Sequence, residues 1–215
     1  MQKVQKNDFV ELEFVARVKE SGEIVDITSK EKAKELGIND KNINPIKTCI
    51  GKGFLIKGLE ENLIGKEIGK FYIIEIPPEK AFGKRDASLL KLVPASVFKN
   101  SELTPIPGLR VNIEGLVGTI VSRSGGRILV DFNHPLAGKT LVYEIKIVRK
   151  LTEPKEKITC LLENYGLAKE NFTIKIHNSK AEIEIKQKLP EVLKGRIESA
   201  IKELIKEIKE LKLKI

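Results

Sequence analysis

The sequence predicts an α+β fold in which a β-rich parent domain carries an inserted, mostly β segment and a C-terminal αββα module. Three observations lead there. Runs of β-favouring residues alternate apolar and polar at period two over Phe9 to Lys19, Phe71 to Ile76 and Leu141 to Leu151. The stretch between Gly83 and Leu141 is too long for a structureless loop and holds strand and turn signals of its own. After Thr152-Glu153-Pro154 the periodicity runs helix, strand, strand, helix.

In the first strand Val10, Leu12, Phe14, Ala16 and Val18 share one face, so Phe14 points to the core side. Glu20-Ser21-Gly22-Glu23 is a turn, and Ile24 to Ile27 resumes the strand with Asp26 among apolar neighbours. By itself that aspartate reads as a turn or edge carboxylate accepting backbone hydrogen bonds. Lys30 to Leu36 is a short helix ended by Gly37, followed by a loop through Asn39 to Asn44. The organising stretch is Gly51 to Gly83. Gly51 and Gly53 supply a tight loop, Leu55 and Ile56 lead into a brief helix through Leu59 to Leu63, and Gly65 suits its end. Tyr72, Ile74 and Ile76 then line one face of a strand that Pro77-Pro78 stops. The stretch holds no His, no nucleophile beside a base, no metal-ligand spacing and no phosphate-cradling glycine motif, so any site it makes is an apolar pocket.

The inserted segment reads as a Pro-punctuated loop from Leu103 to Gly108, strands over Val111 to Ile113 and Leu116 to Ser122, a hairpin turn at Ser124-Gly125-Gly126, and a return strand from Ile128 to Phe132. So small a unit cannot bury all its apolar residues. The surplus points to an exposed surface that holds unfolded chains, with Val93, Phe98, Leu109, Val117 and Leu129 as its expected residues, against the alternative of a structural lid. His134 reads as a hydrogen-bonded hinge residue. In the C-terminal module, Glu156 to Tyr165 is a helix, Phe172, Ile174 and Ile176 pair with Ala181, Ile183 and Ile185, and a long helix begins near Pro190. Its stripe of Leu193, Ile197, Ala200, Ile201, Leu204, Ile205, Ile208 and Leu211 is covered either by a second copy, giving a homodimer through residues 153–215, or by its own chain.

Composition sets outer bounds. Apolar residues at 41% of 215 support real cores, and no run approaches the ~18 apolar residues of a membrane helix, so a cytoplasmic protein without membrane contact is expected. Cys49 and Cys160 fall in different modules, which argues against a disulfide framework, and two ligands cannot complete a zinc site; no metal and no cofactor are expected. The net charge of +9 raises ribosome or RNA contact as a class, but glutamates alternate with the basic residues and no aromatics interleave for base stacking, so specific nucleic-acid recognition is not expected.

Four motifs in order carry a resemblance: Val25-Asp26, Gly51-Lys52-Gly53-Phe54-Leu55-Ile56-Lys57-Gly58-Leu59-Glu60, Ala81-Phe82-Gly83 and Asn133-His134-Pro135-Leu136-Ala137-Gly138. Over residues 1–152 the chain resembles FKBP-type peptidyl-prolyl cis-trans isomerases, most closely their SlyD-like, long archaeal type. The resemblance implies an antiparallel half-barrel around a short helix, made by residues 1–85 and 135–152, with a chaperone flap at 86–134 and a further domain at 153–215. It implies isomerisation of X-Pro amides, with Asp26, Phe14, Ile56, Phe82 and Tyr143 as the catalytic set and Val25, Ile46, Leu55 and Leu59 binding substrate. Unfolded or nascent polypeptides and X-Pro peptides would be its partners. Leu59 stands where many FKBPs have Trp, and Phe82 where Tyr is common, which weakens the expectation of macrolide affinity. A holdase that binds without turnover is the alternative, with a ribosome-associated factor behind it.

Overall fold

The computed structural model describes residues 2–98 and 104–214, which divide into two compact units, 1–76 with 140–215 and 77–139. Among the described residues three sheets form.

The first unit is built on β1 (Phe9–Val18). Two short strands, β2 (Ile24–Ile27) and β3 (Ile46–Cys49), pair with successive halves of β1, and β9 (Leu141–Lys150) pairs along its length. Outside β9 lies β4 (Phe71–Ile76), giving the antiparallel order β2-β1-β9-β4 with β3 on β1. The period-two pattern sorts the faces: Leu12, Phe14, Ala16, Tyr143, Ile145 and Ile147 are buried. β3 was not among the expected strands, because its four residues, Ile-Lys-Thr-Cys, are too few to show an alternation. Two short helices complete this part, α1 (Lys30–Glu35) and α2 (Lys57–Leu63), the second burying Leu59 and Leu63.

The C-terminal segment holds α3 (Pro154–Asn164), β10 (Phe172–His177), β11 (Lys180–Ile185), α4 (Glu191–Leu204) and β12 (Glu210–Lys214). This corrects the expected αββα module to αββαβ. The long helix stops at Leu204, and the chain returns as a strand parallel to β11. Beyond Leu204 the spacing changes to the strict alternation Glu210-Leu211-Lys212-Leu213-Lys214, a strand period that a helical stripe through Leu211 had absorbed. Of the apolar stripe, Ile197, Ala200, Ile201, Ile205 and Ile208 are buried in the chain's own core, while Leu193, Leu204 and Leu211 pack against it half-buried. That core also takes in Phe9, Cys49 and Leu151, so residues 153–215 do not stand apart as a third body. Both thiols, expected in separate modules, lie in this one core as free cysteines, and burial pushes each up to about 12. A charged network spans the same junction: Arg149 donates to Glu11 at 2.6 Å and in bidentate fashion to Glu156 at 2.8 and 3.0 Å, and Lys47 reaches Glu156 at 3.2 Å.

The second unit contains β5 (Leu90–Pro94), β6 (Arg110–Ile113), β7 (Leu116–Ser124) and β8 (Arg127–Asp131) in the order β5-β8-β7-β6. Gly125 and Gly126, at φ 54° and 78°, make the β7–β8 turn with the left-handed backbone such a hairpin needs. The loop expected from Leu103 to Gly108 begins outside the described residues. The core is Phe98, Val111, Ile120, Ile128 and Val130, with Val93 and Leu109 packed against it. This corrects the expected holding surface: Phe98 is buried, Val93, Leu109 and Leu129 are half-buried, and of the five only Val117 is exposed. Apolarity alone does not say which face of a strand a residue takes. Among the described residues of this unit, Phe82, Leu89, Leu92, Val97, Ile106, Leu116 and Val121 are the other large apolar residues left in solvent.

Candidate functional site

The antiparallel registers bring several expected residues into one row. Asp26 lies opposite Ala16, Ala16 opposite Tyr143, and Tyr143 opposite Ile74, so one line crosses β2, β1, β9 and β4. Ala16 is the small residue of that row. Phe14, two residues back on the same face, meets the Tyr143 ring edge-on with centroids 5.3 Å apart. Between Ala16 and Arg17 the β1–β2 register shifts, with Ile24 opposite Arg17, so Val25 is the extra residue of a bulge. A bulge re-aims a side chain where strict alternation would send it to the other face. Thus Val25 and Asp26 sit side by side at the sheet edge.

The electrostatics follow from this placement. Asp26 is an exposed residue, and the partial desolvation of its carboxyl raises it from its ordinary value while a hydrogen bond from the Ile27 N–H offsets some of that rise. Burial first, and the Asp26 charge second, push the Tyr143 hydroxyl up to about 12. Tyr143 is therefore a neutral wall that senses Asp26.

The other expected residues come from β3, from the loop before α2 and from α2 itself. Gly51 and Gly53 take φ of 82° and 77°, closing the loop in a conformation other residues resist. The Glu60 carboxylate accepts the Gly53 N–H at 3.1 and 3.3 Å through its two oxygens, tying the loop to the helix it precedes. Leu55 and Ile56 are half-buried there, Leu59 is fully buried one turn on, and Ile46 opens β3 opposite Leu12. Phe82 belongs to the second unit, where its ring stacks on His134 at 4.4 Å with planes 1° apart. His134 Nδ1 accepts the Leu136 N–H at 3.2 Å, the kind of hydrogen bond expected of it.

Two supporting residues escaped sequence reasoning. Buried Thr28 accepts the Phe14 N–H on Oγ1 at 2.8 Å and donates its own N–H to the Phe14 carbonyl at 2.9 Å, fixing the backbone that aims Phe14. Glu60 looked like one more surface glutamate on a Lys/Glu-rich chain, yet it is buried. Only the motif that contains it gave a signal. The registers place the Phe14 and Tyr143 rings beside one carboxylate, that of Asp26.

Comparison with known proteins gives the same direction. A family model described as the FKBP26 IF domain matches residues 91–136. The chain is 34% identical over 146 residues to the short-type peptidyl-prolyl cis-trans isomerase of Methanocaldococcus jannaschii, covering 67% of this chain and 92% of that one. It is 34% identical over 153 residues to a probable FKBP-type 16 kDa peptidyl-prolyl cis-trans isomerase of Pseudomonas fluorescens, covering 68% and 91%. To the FKBP-type isomerase SlyD of Aeromonas hydrophila it is 33% identical over 156 residues, covering 70% and 66%.

Proposed function

Because the chain belongs to the FKBP-type peptidyl-prolyl cis-trans isomerases, in their SlyD-like branch, we propose that it turns over X-Pro amides in a pocket walled by Phe14, Val25, Ile46, Leu55, Ile56, Leu59 and Tyr143, with Asp26 as the catalytic polar group. The observation that carries this reading is the row Asp26–Ala16–Tyr143 with Phe14 edge-on beside it. Phe82 enters on its motif alone.

Rotation about an X-Pro amide must lose resonance over a barrier of about 18–20 kcal/mol, without any bond being cut. The planar amide is the more polar form and the better solvated one. A site that strips water from it and fits the twisted form lowers the barrier by differential binding. Aliphatic and aromatic walls supply the desolvation. The Asp26 carboxylate, itself partly desolvated, favours one orientation of the twisting peptide dipole over the other. Neither Leu59 nor Phe82 needs a polar atom for this.

The test is the cis-to-trans rate of a short X-Pro peptide. Asp26→Ala is expected to lower kcat/KM by roughly 10²-fold, the scale for one preorganised electrostatic group. Correctly folded protein that leaves the uncatalysed rate unchanged would sink the enzyme reading.

A second reading concerns residues 86–134 as a client-holding insert. It is supported by the exposed Leu92, Val97, Ile106, Leu116, Val117 and Val121, an unusual apolar load for so small a sheet. The expected outcome is suppression of aggregation of a denatured client, weakened by Leu116→Lys with Val117→Lys while peptide isomerisation continues. Equal suppression by the variant would discard these two residues as a holding surface.

A further inference from the structure

A groove of about 690 Å³ runs beside the pocket within the first unit. On one side it is lined by Ile46 and Leu55, residues also assigned to the prolyl pocket. On the other it is lined by Thr159, Glu163, Asn164 and Lys169, from α3 and the turn after it. Its size lies within the range of about 300–1,000 Å³ that encloses small ligands.

The two sides are tied together. Asn164 Nδ2 donates to the Lys47 carbonyl of β3 at 2.8 Å and to the Cys160 carbonyl at 2.7 Å. Next to it Tyr165 meets Phe54 edge-on at 5.4 Å, one residue before Leu55. The charges of the lining divide unequally. On the sheet side Glu11 is held by Arg149 and Lys47 by Glu156. On the far side Glu163 and Lys169 are exposed and have no ion-pair partner among the described residues. One acid and one base, balanced and separated by an amide, do not suit a polyanion such as RNA. Together with an apolar lip shared with the prolyl pocket, they suit an extended polypeptide.

We propose that the C-terminal segment extends the prolyl pocket, so that client residues flanking the X-Pro bond lie along this groove and are selected by charge, acidic ones by Lys169 and basic ones by Glu163. This rests on the isomerase reading of the adjoining pocket. It makes residues 153–215 part of substrate recognition, acting on chains longer than a minimal peptide.

The experiment uses the full chain and X-Pro peptides extended by four residues on either side of the minimal sequence, each flank made once with two Asp and once with two Lys. The quantity read is the ratio of kcat/KM for the acidic over the basic flank. Lys169→Glu is expected to lower that ratio, and Glu163→Lys to raise it, each by about 2- to 5-fold, the worth of one solvent-exposed charge pair. A variant that merely loosened the fold would change both peptides together and leave the ratio still. An unchanged ratio in both variants, for both flanks, overturns the proposal. Binding of the same peptides, fluorescein-labelled, is followed separately by anisotropy. Absent turnover of every peptide with the charge-dependent ratio kept in binding would defeat the isomerase reading and leave the groove standing.

Discussion

The two larger sheets are of similar strand number and bury very different shares of their apolar residues. In the first unit Leu141, Tyr143, Ile145 and Ile147 of β9 are all buried, and large exposed apolar residues of the sheet are confined to Phe71 and Ile73 on the edge strand β4. Among the described residues the second unit has five buried core residues, while Leu92 and Leu116 remain 62% and 64% exposed. The difference teaches how size sets burial. The ends of β1 and β3 join the C-terminal core through Phe9 and Cys49, and α2 adds Leu59 and Leu63, whereas the second unit spans only residues 77–139 and has too little chain to cover its own outer face. Apolar residues left over in so small a unit are therefore available for other work.

Removing atoms from the better-buried sheet should break the comparison most visibly. Ile145→Ala leaves a cavity in a fully closed core and is expected to cost about 2–5 kcal/mol in urea unfolding, while Leu116→Ala in the second unit stays within about 0.5 kcal/mol. Comparable losses at the two positions would mean that the second unit's outer face is covered in solution.

The second unit is nevertheless close-packed on its inner side. A Cβ at Gly118 would lie 2.6 Å from Val130 Cγ1 and 2.9 Å from the Phe132 ring, so Gly118→Ala should destabilise by about 1–3 kcal/mol through overpacking. Hydrogen exchange would find the loss in β7 and β8, with β1 and β9 retaining their protection. A smaller penalty falls on the site edge of the first unit. Thr28→Val leaves the Phe14 N–H without its acceptor and should cost about 1–2 kcal/mol, with a fall in peptide turnover that Thr28→Ser restores.

The smallest effect tests the junction that covers the first sheet. The Arg149 guanidinium holds the Glu156 carboxyl down at about 2, below its unfolded value, so the ion pair contributes its full stability above roughly pH 4.5 and loses it as pH falls toward 2. Solvent screening limits this to about 0.5–1 kcal/mol. Glu156→Gln should flatten the stability–pH slope across that window by the corresponding amount. A slope identical to that of the parent chain would assign the acid sensitivity to other carboxylates.

Read residue by residue, the sequence determined the long alternating strands, since Phe9 to Lys19 and Leu141 to Leu151 each show enough repeats for the period to be seen. Glycines at the α1, α2 and β7–β8 ends marked their turns, and four ordered motifs carried the family and the candidate residues. It was silent wherever the outcome depended on what lies opposite. β3 is too short to show a pattern, and β12 follows α4 without a Gly or Pro to mark the change. Thr28 and Glu60 are polar residues whose burial is set by partners distant in sequence or hidden by a loop. Which residues of the second unit stay exposed, and that Cys49 and Cys160 share a core, were likewise decided by tertiary structure. Periodicity is a property of a segment alone, whereas burial is a relation between segments, and only the folded chain supplies the second partner.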